Sequence, residues 1–216
     1  MTNRRKIIND PVYGFISIPN DLIYDLVGHP WFQRLRNIRQ LGLSSLVYPG
    51  AVHSRFQHSL GAMYLTGQAI HTLRSKGTEI SDAEEEAVLA AILLHDIGHG
   101  PFSHALEHSL IEDMPHETMS LLIMEELNNA LEGRLSNAIS IFRGGYARRF
   151  FHDLVTGQMD MDRMDYLRRD SFFTGVIEGS VGSDRIIRML NVSEDRLVVD
   201  EKGIYSVEKF LIARRM

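Results

Sequence analysis

The feature that most constrains the fold of this chain is a run of eight apolar residues that leads into a histidine and an aspartate. The run covers residues 87–94 and is followed directly by His95 and Asp96. Ser81 and the acidic residues behind it are typical of a helix start. A helix that is apolar on every side must be buried. The sequence therefore predicts that His95 and Asp96 lie at the inner end of a core helix.

A buried carboxylate beside a buried imidazole costs free energy unless an opposite charge neutralises it, and a bound cation does so. Gly98, Gly100 and Pro101 follow, which ends the helix and lets other backbone approach closely. The same His-Asp doublet recurs at His152 and Asp153, behind two arginines. Because about one such doublet is expected by chance, we interpret this second one as an ordinary surface pair.

Composition narrows the chemistry that such a site can use. The chain has 216 residues, 44% of them hydrophobic, and no cysteine. This length can bury one sizeable core without a disulfide, and any metal must be held by His, Asp or Glu. The longest apolar run has eight residues, whereas roughly 20 are needed to span a bilayer. With no visible signal peptide, we expect a cytoplasmic protein that does not enter a membrane.

The charged residues point away from general nucleic-acid binding, because the net charge is -5. The cations are 19 Arg and 4 Lys. Arg binds phosphate in a bidentate manner, so the excess fits a phosphorylated substrate, although genomic base composition explains it equally well. Arg34, Arg36 and Arg39 are accordingly either a surface stripe or a phosphate-binding patch.

Hydrophobic periodicity predicts a mostly α fold with a short extended segment over the first 20 residues. A small hairpin is predicted near the C-terminus, with Leu197–Val199 paired to Gly203–Tyr205 through a turn at 200–203. A last helix is expected to start at Ser206. We expect one domain over residues 1–216. Helices are predicted over 30–39, 55–74, 82–97, 102–111, 117–128, 147–156, 160–170 and 183–190.

Several segments together resemble one known family, the HD-domain phosphohydrolases. They are similar to the branch of deoxynucleoside triphosphate triphosphohydrolases that includes the mammalian sterile-alpha-motif-and-HD-domain protein. The resemblance implies an HD-domain helical fold, and it keeps the order of the motifs over nearly the whole chain. The segments are NRRKIINDPVYGFISIP, PWFQRLRNIRQLG, YPGAVHSRFQHSLG, LLHDIGHGPFSHALEH, HETMS and DMDRMDYLRRDSFFTGV.

The metal site that the resemblance implies has two imidazoles and two carboxylates, a ligand set suited to a hydrolytic divalent cation. One ion of Mn, Mg, Fe, Ni or Zn is expected. The positions that match the family's ligands are His58, His95, Asp96 and Asp162.

Four further positions match the family's catalytic residues. His116 matches the proposed general acid that protonates the leaving oxygen, and Glu107 stands where a carboxylate orients that acid. His99 and His104 match histidines near the α-phosphate.

The resemblance also implies a nucleotide site. Arg55 matches a phosphate-contacting arginine, and Arg163 and Tyr166 match residues that hold the triphosphate. Gln40 and Leu41 match residues packed against the deoxyribose. Asp170 matches an acceptor for the 3′-hydroxyl.

An alternative stays open for the segment 160–170. Asp160, Asp165 and Asp170 alternate there with arginines, which also fits a solvated helix face that is crossed by salt bridges.

The function expected from the resemblance is hydrolysis of a deoxynucleoside triphosphate to a deoxynucleoside and inorganic triphosphate, by a homo-oligomer. The alternatives are another HD chemistry, such as a nucleotide monophosphatase or a phosphodiesterase, and a nucleotide-binding regulatory protein with little turnover. The family continues past the segment VEKFLIARRM into helices that close the nucleotide pocket. We therefore expect residues 1–216 to bind metal but to hydrolyse nucleotides weakly.

Overall fold

The computed structural model describes residues 6–102, 114–179 and 181–215. An antiparallel hairpin opens it, with β1 (Ile7–Asp10) paired to β2 (Gly14–Ser17). The Asp10 carboxylate accepts hydrogen bonds from the backbone N–H groups of Val12 (2.9 Å) and Tyr13 (3.0 Å). Asp10 thus fixes its own turn, and the predicted extended segment at the N-terminus is confirmed.

The remainder of the described chain is mainly helical, which confirms the predicted fold class. No helix in these described ranges combines the length and the apolar composition that crossing a bilayer requires. The helices are α1 (Asp21–Gly28), α2 (Pro30–Gln33), α3 (Arg55–Ser75), α4 (Asp82–Leu94), α5 (His116–Ala130), α6 (Ser136–Phe142), α7 (Arg149–Thr156), α8 (Met161–Thr174), α9 (Ser183–Met189) and α10 (Ile204–Ala213).

Helix α4 occupies the centre of the core, as its apolar run predicts. Every residue from Ala87 to Leu94 is buried. Its start is fixed by a capping box, in which Ser81 and Glu84 each bond the other's backbone N–H. Helices α3, α6 and α7 pack around it, and α8 packs against α3. The ends of α3, α4 and α8 thereby meet at one side of the core.

Most of the predicted helices differ from the structure in their bounds, including those over 30–39 and 82–97. The segment predicted as 30–39 is the single turn of α2 followed by a 3₁₀ helix over Arg34–Asn37, because Ile38 turns extended at φ -109° and ψ 112°. The predicted helix 82–97 has its last α-helical residue at Leu94. Of the predicted helix 102–111, all but the first residue lie outside the described ranges.

The predicted C-terminal hairpin is wrong in its pairing. Strand β4 (Arg196–Val199) pairs antiparallel with β3 (Leu190–Ser193), and the turn is Glu194–Asp195, both in left-handed conformation. Gly203 makes no hairpin turn. It is buried, and a Cβ there would lie 2.5 Å from Val199 Cγ1, so this glycine serves close packing at the start of α10.

The interpretation of His152 and Asp153 as a surface pair is wrong for the aspartate. Asp153 is buried and accepts hydrogen bonds from Arg196 Nε (2.8 Å) and from the backbone N–H of Leu197 (3.2 Å). His152 is half-buried and bonds the Ile141 carbonyl oxygen through Nδ1 (2.9 Å). Asp153 therefore ties the β3–β4 hairpin to α7.

This tie gives a stability prediction. Asp153→Ala should lower the free energy of unfolding by about 1–3 kcal/mol, because it leaves the Leu197 N–H without its acceptor in a partly buried setting. Urea unfolding measures the change. Arg149→Ala, on the exposed side of the same helix, should stay within about 0.5 kcal/mol of the parent. Equal stability of both variants would contradict the structural role of Asp153.

Candidate metal centre and active site

Three helices deliver the four predicted metal ligands to one place. His58 lies in the first turn of α3, and Asp162 in the first turn of α8. His95 and Asp96 directly follow α4. His58 is fully buried, and His95 and Asp96 are buried almost as deeply.

The ligand atoms of these residues converge. His58 Nε2 lies 3.1 Å from Asp162 Oδ1, 3.3 Å from His95 Nε2 and 3.5 Å from Asp96 Oδ2. His95 Nε2 lies 3.5 Å from an oxygen of each aspartate. Ligands that bind one ion at about 2.0–2.2 Å are themselves about 3 Å apart. His58, His95 and Asp162 therefore form a group of donors that fits a single small divalent cation, and Asp96, which also groups with His99 and His116, lies beside them.

Hydrogen bonds on the outer ring nitrogens orient both imidazoles. His95 Nδ1 lies 2.6 Å from the Ile92 carbonyl oxygen, which only accepts, so Nδ1 carries the proton. His58 Nδ1 lies 2.7 Å from Asp165 Oδ2. Each ring thus turns Nε2 toward the other ligands, as metal-binding histidines do.

The pKa shifts in the cluster show that its carboxylates favour positive charge on the groups beside them. Burial alone would lower the pKa of His58, but the neighbouring carboxylates of Asp162 and Asp165 raise it to about 10. Burial would likewise raise the pKa of Asp162, yet the imidazoles of His58 and His95 hold it well below its ordinary value. Without a cation, protons on the imidazoles balance the carboxylates. A metal ion would displace those protons.

A second group of donors adjoins the first through Asp96. Its Oδ1 lies 3.3 Å from His99 Nε2, and its Oδ2 pairs with Arg55. The rings of His99 and His116 stack with centroids 3.8 Å apart and planes 21° apart. Burial lowers the pKa of His99 to about 4, against the opposing effect of Asp96. His99 is thus neutral at neutral pH.

Close packing behind the His-Asp doublet brings His116 to this place. A Cβ on Gly98 would lie 2.3 Å from the His116 carbonyl oxygen and 2.4 Å from the Ser120 nitrogen. Ser120 Oγ accepts from the Gly98 N–H (2.9 Å) and donates to the His95 carbonyl oxygen (2.8 Å). Only glycine at position 98 lets the start of α5 lie directly on the turn after α4.

The three arginines near residue 36 have separate contacts in the structure. Arg34 donates to the carbonyl oxygens of His99 (2.8 Å) and Ile97, so it holds the loop that carries His99. Arg36 lies over the Phe56 ring, 3.6 Å from its centroid. Arg34 therefore belongs neither to a surface stripe nor to a phosphate-binding patch, the two predicted roles, because its side chain binds backbone carbonyl oxygens.

The residues predicted to hold the sugar lie together around His53. Its Nε2 lies 2.7 Å from Asp170 Oδ1, and its carbonyl oxygen accepts from the Gln40 N–H (3.0 Å). The Gln40 side-chain oxygen is buried and has no hydrogen-bond partner among the described residues. Leu41 is half-buried beside it.

Arg163 and Tyr166, predicted to hold the triphosphate, lie on α8 within the turn that follows Asp162. Arg163 donates to the Gly157 carbonyl oxygen (2.7 Å) and pairs with Asp160. Tyr166 is half-buried one turn beyond Asp162, and burial together with that carboxylate raises the pKa of its phenol. Their contacts to a substrate stay predictions. His104 and Glu107 lie outside the described residues.

The reading of α8 as a solvated face of salt bridges is wrong for two of its aspartates. Asp160 and Asp165 are buried, and Arg169 is fully buried with them. Asp165 orients a predicted metal ligand, a role that sequence reasoning missed. The four-residue spacing of Asp165 and Arg169 was the available signal, but it does not separate a buried pair from an exposed one.

Comparison with known proteins identifies the family. The model of the HD domain matches residues 55–170, the stretch that carries every predicted metal ligand. The chain belongs to the HD-domain family. This confirms the predicted family, and with it the expectation of a fold that binds a divalent metal.

Its relatives include both named enzymes and proteins without an assigned role. Residues over 98% of the chain are 37% identical to the uncharacterized protein YwfO of Bacillus subtilis, of which they cover 50%. The deoxynucleoside triphosphate triphosphohydrolase SAMHD1 homolog of Dictyostelium discoideum is 35% identical over 97% of the chain and 44% of its own length.

A solved structure gives the same picture of the fold. The crystal structure of a phosphohydrolase from Bacteroides thetaiotaomicron superposes with a TM-score of 0.95 at 64% identity, over 98% of this chain and 52% of that one. The chain thus spans about half the length of these relatives.

The geometry of the cluster predicts the metal content of variants. His95→Ala and Asp96→Ala should each abolish the one divalent ion per chain that elemental analysis detects, because each removes a converging ligand. The control is His152→Ala, which alters the other His-Asp doublet away from the cluster and should keep its metal. Equal loss in all three would refute the ligand assignment.

Proposed function

We propose that this chain is the catalytic part of a metal-dependent phosphohydrolase that cleaves deoxynucleoside triphosphates to a deoxynucleoside and inorganic triphosphate. The observation that carries the proposal is the convergence of two imidazoles and two carboxylates, with His58 Nε2 between 3.1 and 3.5 Å from a ligand atom of each of the other three residues. The substrate class is supported by similarity to relatives named as deoxynucleoside triphosphate triphosphohydrolases.

His58, His95, Asp96 and Asp162 would hold the cation. When bound, a divalent cation supplies Lewis acidity to a phosphoryl oxygen and lowers the pKa of water. Asp96 serves both sides of the site, since it also contacts Arg55 and His99. Arg55, which pairs with Asp96, would then be placed to contact a bound phosphate, where a guanidinium stabilises developing negative charge.

His116 is the proposed general acid. Water attacks the α-phosphorus, the bond from that phosphorus to the 5′-oxygen breaks, and His116 gives its proton to that oxygen. His99, neutral because burial lowers its pKa to about 4, stacks on His116 without competing with it for positive charge. Since the single proton of this neutral ring lies on Nε2, toward Asp96, His99 is proposed to lie near the α-phosphate and to hold the His116 ring in place by stacking. His104 and Glu107, which lie outside the described residues, are proposed to assist, as the family resemblance implies.

The sugar end of the substrate is assigned to the group around His53. The buried Gln40 oxygen has no partner among the described residues, and a buried acceptor of this kind gains from a donor such as a ligand hydroxyl. Asp170 keeps one carboxylate oxygen beyond its bond to His53, which suits it to accept from a 3′-hydroxyl. Leu41 beside them would crowd a 2′-hydroxyl. Arg163 and Tyr166 are proposed to hold the triphosphate.

The role of His116 is tested by kinetics. His116→Ala should lower turnover roughly 10²- to 10⁴-fold at saturating substrate, because proton donation acts in the transition state. Metal content should not change. The matched control is His71→Ala, on α3 beyond the cluster. Unchanged turnover in His116→Ala would remove this residue from the mechanism.

Product identification tests the reaction itself. With dGTP and Mn²⁺, Mg²⁺, Fe²⁺ or Ni²⁺ supplied in turn, chromatography should find deoxyguanosine and triphosphate in equal amounts. Pyrophosphate or orthophosphate as the first product would instead indicate one of the other HD chemistries.

Sugar selection is a separate prediction. The parent should hydrolyse dGTP faster than GTP, and Leu41→Ala should narrow that ratio, because the smaller side chain leaves room for the added hydroxyl. The ratio of kcat/KM values for the two nucleotides is the measurement. Leu43→Ala, at an exposed neighbour, is the control. A parent with equal values for both nucleotides would contradict the assignment of Gln40 and Leu41.

A further inference from the structure

A buried chain of charged side chains runs from His58 to the N-terminal hairpin. His58 Nδ1 lies 2.7 Å from Asp165 Oδ2. Arg169 donates two hydrogen bonds to the same carboxylate, with Nε 2.9 Å from Oδ2 and Nη2 3.0 Å from Oδ1. The other edge of Arg169 faces Asp10, with Nη1 2.8 Å from Oδ2. His58, Asp165 and Arg169 are fully buried, and Asp10 is buried almost as deeply.

A glycine in helix α3 makes room for these buried charged side chains. Gly61 lies one turn beyond His58, and a Cβ at that position would be 2.0 Å from Asp165 Oδ1 and 2.3 Å from Arg169 Nη2. Any other residue would therefore push the carboxylate or the guanidinium aside. Because glycine weakens a helix interior relative to alanine, α3 gives up some stability for this close approach.

Stability does not explain why such a group is buried. A buried ion pair recovers its desolvation cost only with good geometry, and well-packed apolar residues often replace it without loss. His58 is the residue of this group that is proposed to bind the metal. The charges of Asp165 and Arg169 therefore act on the His58 imidazole.

The hydrogen bonding decides which nitrogen of His58 is available. Asp165 accepts two hydrogen bonds from Arg169 and has no proton to give, so in a neutral imidazole the proton must lie on Nδ1. The lone pair of Nε2 then faces His95, Asp96 and Asp162. In the corresponding position, His95 Nδ1 faces the neutral carbonyl oxygen of Ile92. His58 Nδ1 instead faces the negatively charged carboxylate of Asp165.

We infer that Asp165, Arg169 and Asp10 form a positioning relay that holds His58 with Nε2 directed at the metal and strengthens it as a ligand. The inference rests on the proposed function, because it takes His58 as a metal ligand. Asp10 belongs to the turn after β1, where its Oδ1 also accepts from two backbone N–H groups. The relay thereby makes the metal centre depend on the N-terminal hairpin.

The test is metal affinity measured by competition between the chain and a chelator for Zn²⁺ and Co²⁺. Asp165→Asn and Arg169→Met should each weaken binding roughly 10- to 100-fold, the range seen when partners of metal ligands are removed. Asp153→Asn is the matched control, since it also neutralises a buried aspartate that pairs with an arginine. It should bind metal like the parent.

A spectroscopic readout separates positioning from general destabilisation. In the Zn²⁺-loaded parent, long-range proton–nitrogen correlation spectra should place the proton of His58 on Nδ1, at a strongly downfield shift because a carboxylate holds it. In Asp165→Asn this proton should move upfield. The resonance is assigned by its absence from His58→Gln. A proton on Nε2 in the parent would overturn the inference even if neither Asp165→Asn nor Arg169→Met folds.

The remaining outcomes distinguish the relay from the proposed function. If His58→Ala loses metal while Asp165→Asn and Arg169→Met bind it as tightly as the parent, the relay is wrong and the ligand set stands. If His58→Ala itself binds metal like the parent, the ligand set is wrong and the relay fails with it.

Discussion

Neutralisation of buried carboxylates is the constraint on which the rest of this structure depends. Asp96 and Asp162 lie beside His58 and His95 at the meeting point of three core helices, where an uncompensated charge would be very costly. Protons on the imidazoles meet that need when no cation is bound, and a divalent ion held by His58, His95 and Asp162 would meet it with two positive charges. The core is thus built around a charge demand that apolar packing alone cannot satisfy.

Much of the fold could be predicted from local sequence signals, because each of those signals is compatible with only one local structure. The apolar run before His95 had to be buried, and its capping box fixed where α4 begins. The hairpin near the C-terminus was misplaced because Gly203 resembles a turn residue, whereas the actual turn is made by Glu194 and Asp195 in left-handed conformation. Glycine marks both turns and close packing, and composition does not distinguish the two.

The candidate site also has a part that could be predicted from the sequence and a part that could not. The four converging ligands were predictable, since buried His and Asp residues in matched motifs leave few alternatives. The residues that orient them were not. Asp165 and Arg169 read as a surface pair because alternating charges on a helix usually face water, and their burial depends on Gly61 from α3 and on Asp10 from β1, both distant in sequence. Arg34 was likewise read by its charge, although its contacts are two carbonyl oxygens of the loop after α4.

These supporting residues share a physical logic that links the hairpin, the helices and the site. Arg34 holds the loop that carries His99, Ser120 ties α5 to the backbone of His95 and Gly98, and Arg169 joins Asp10 to Asp165. Each uses polar groups to fix backbone or a ring where apolar contacts would permit sliding, since hydrogen bonds are directional and dispersion is not. A site at which four side chains from three helices converge needs that directionality. The apolar core therefore sets where the three helix ends meet, and the buried polar links set how each ligand is turned.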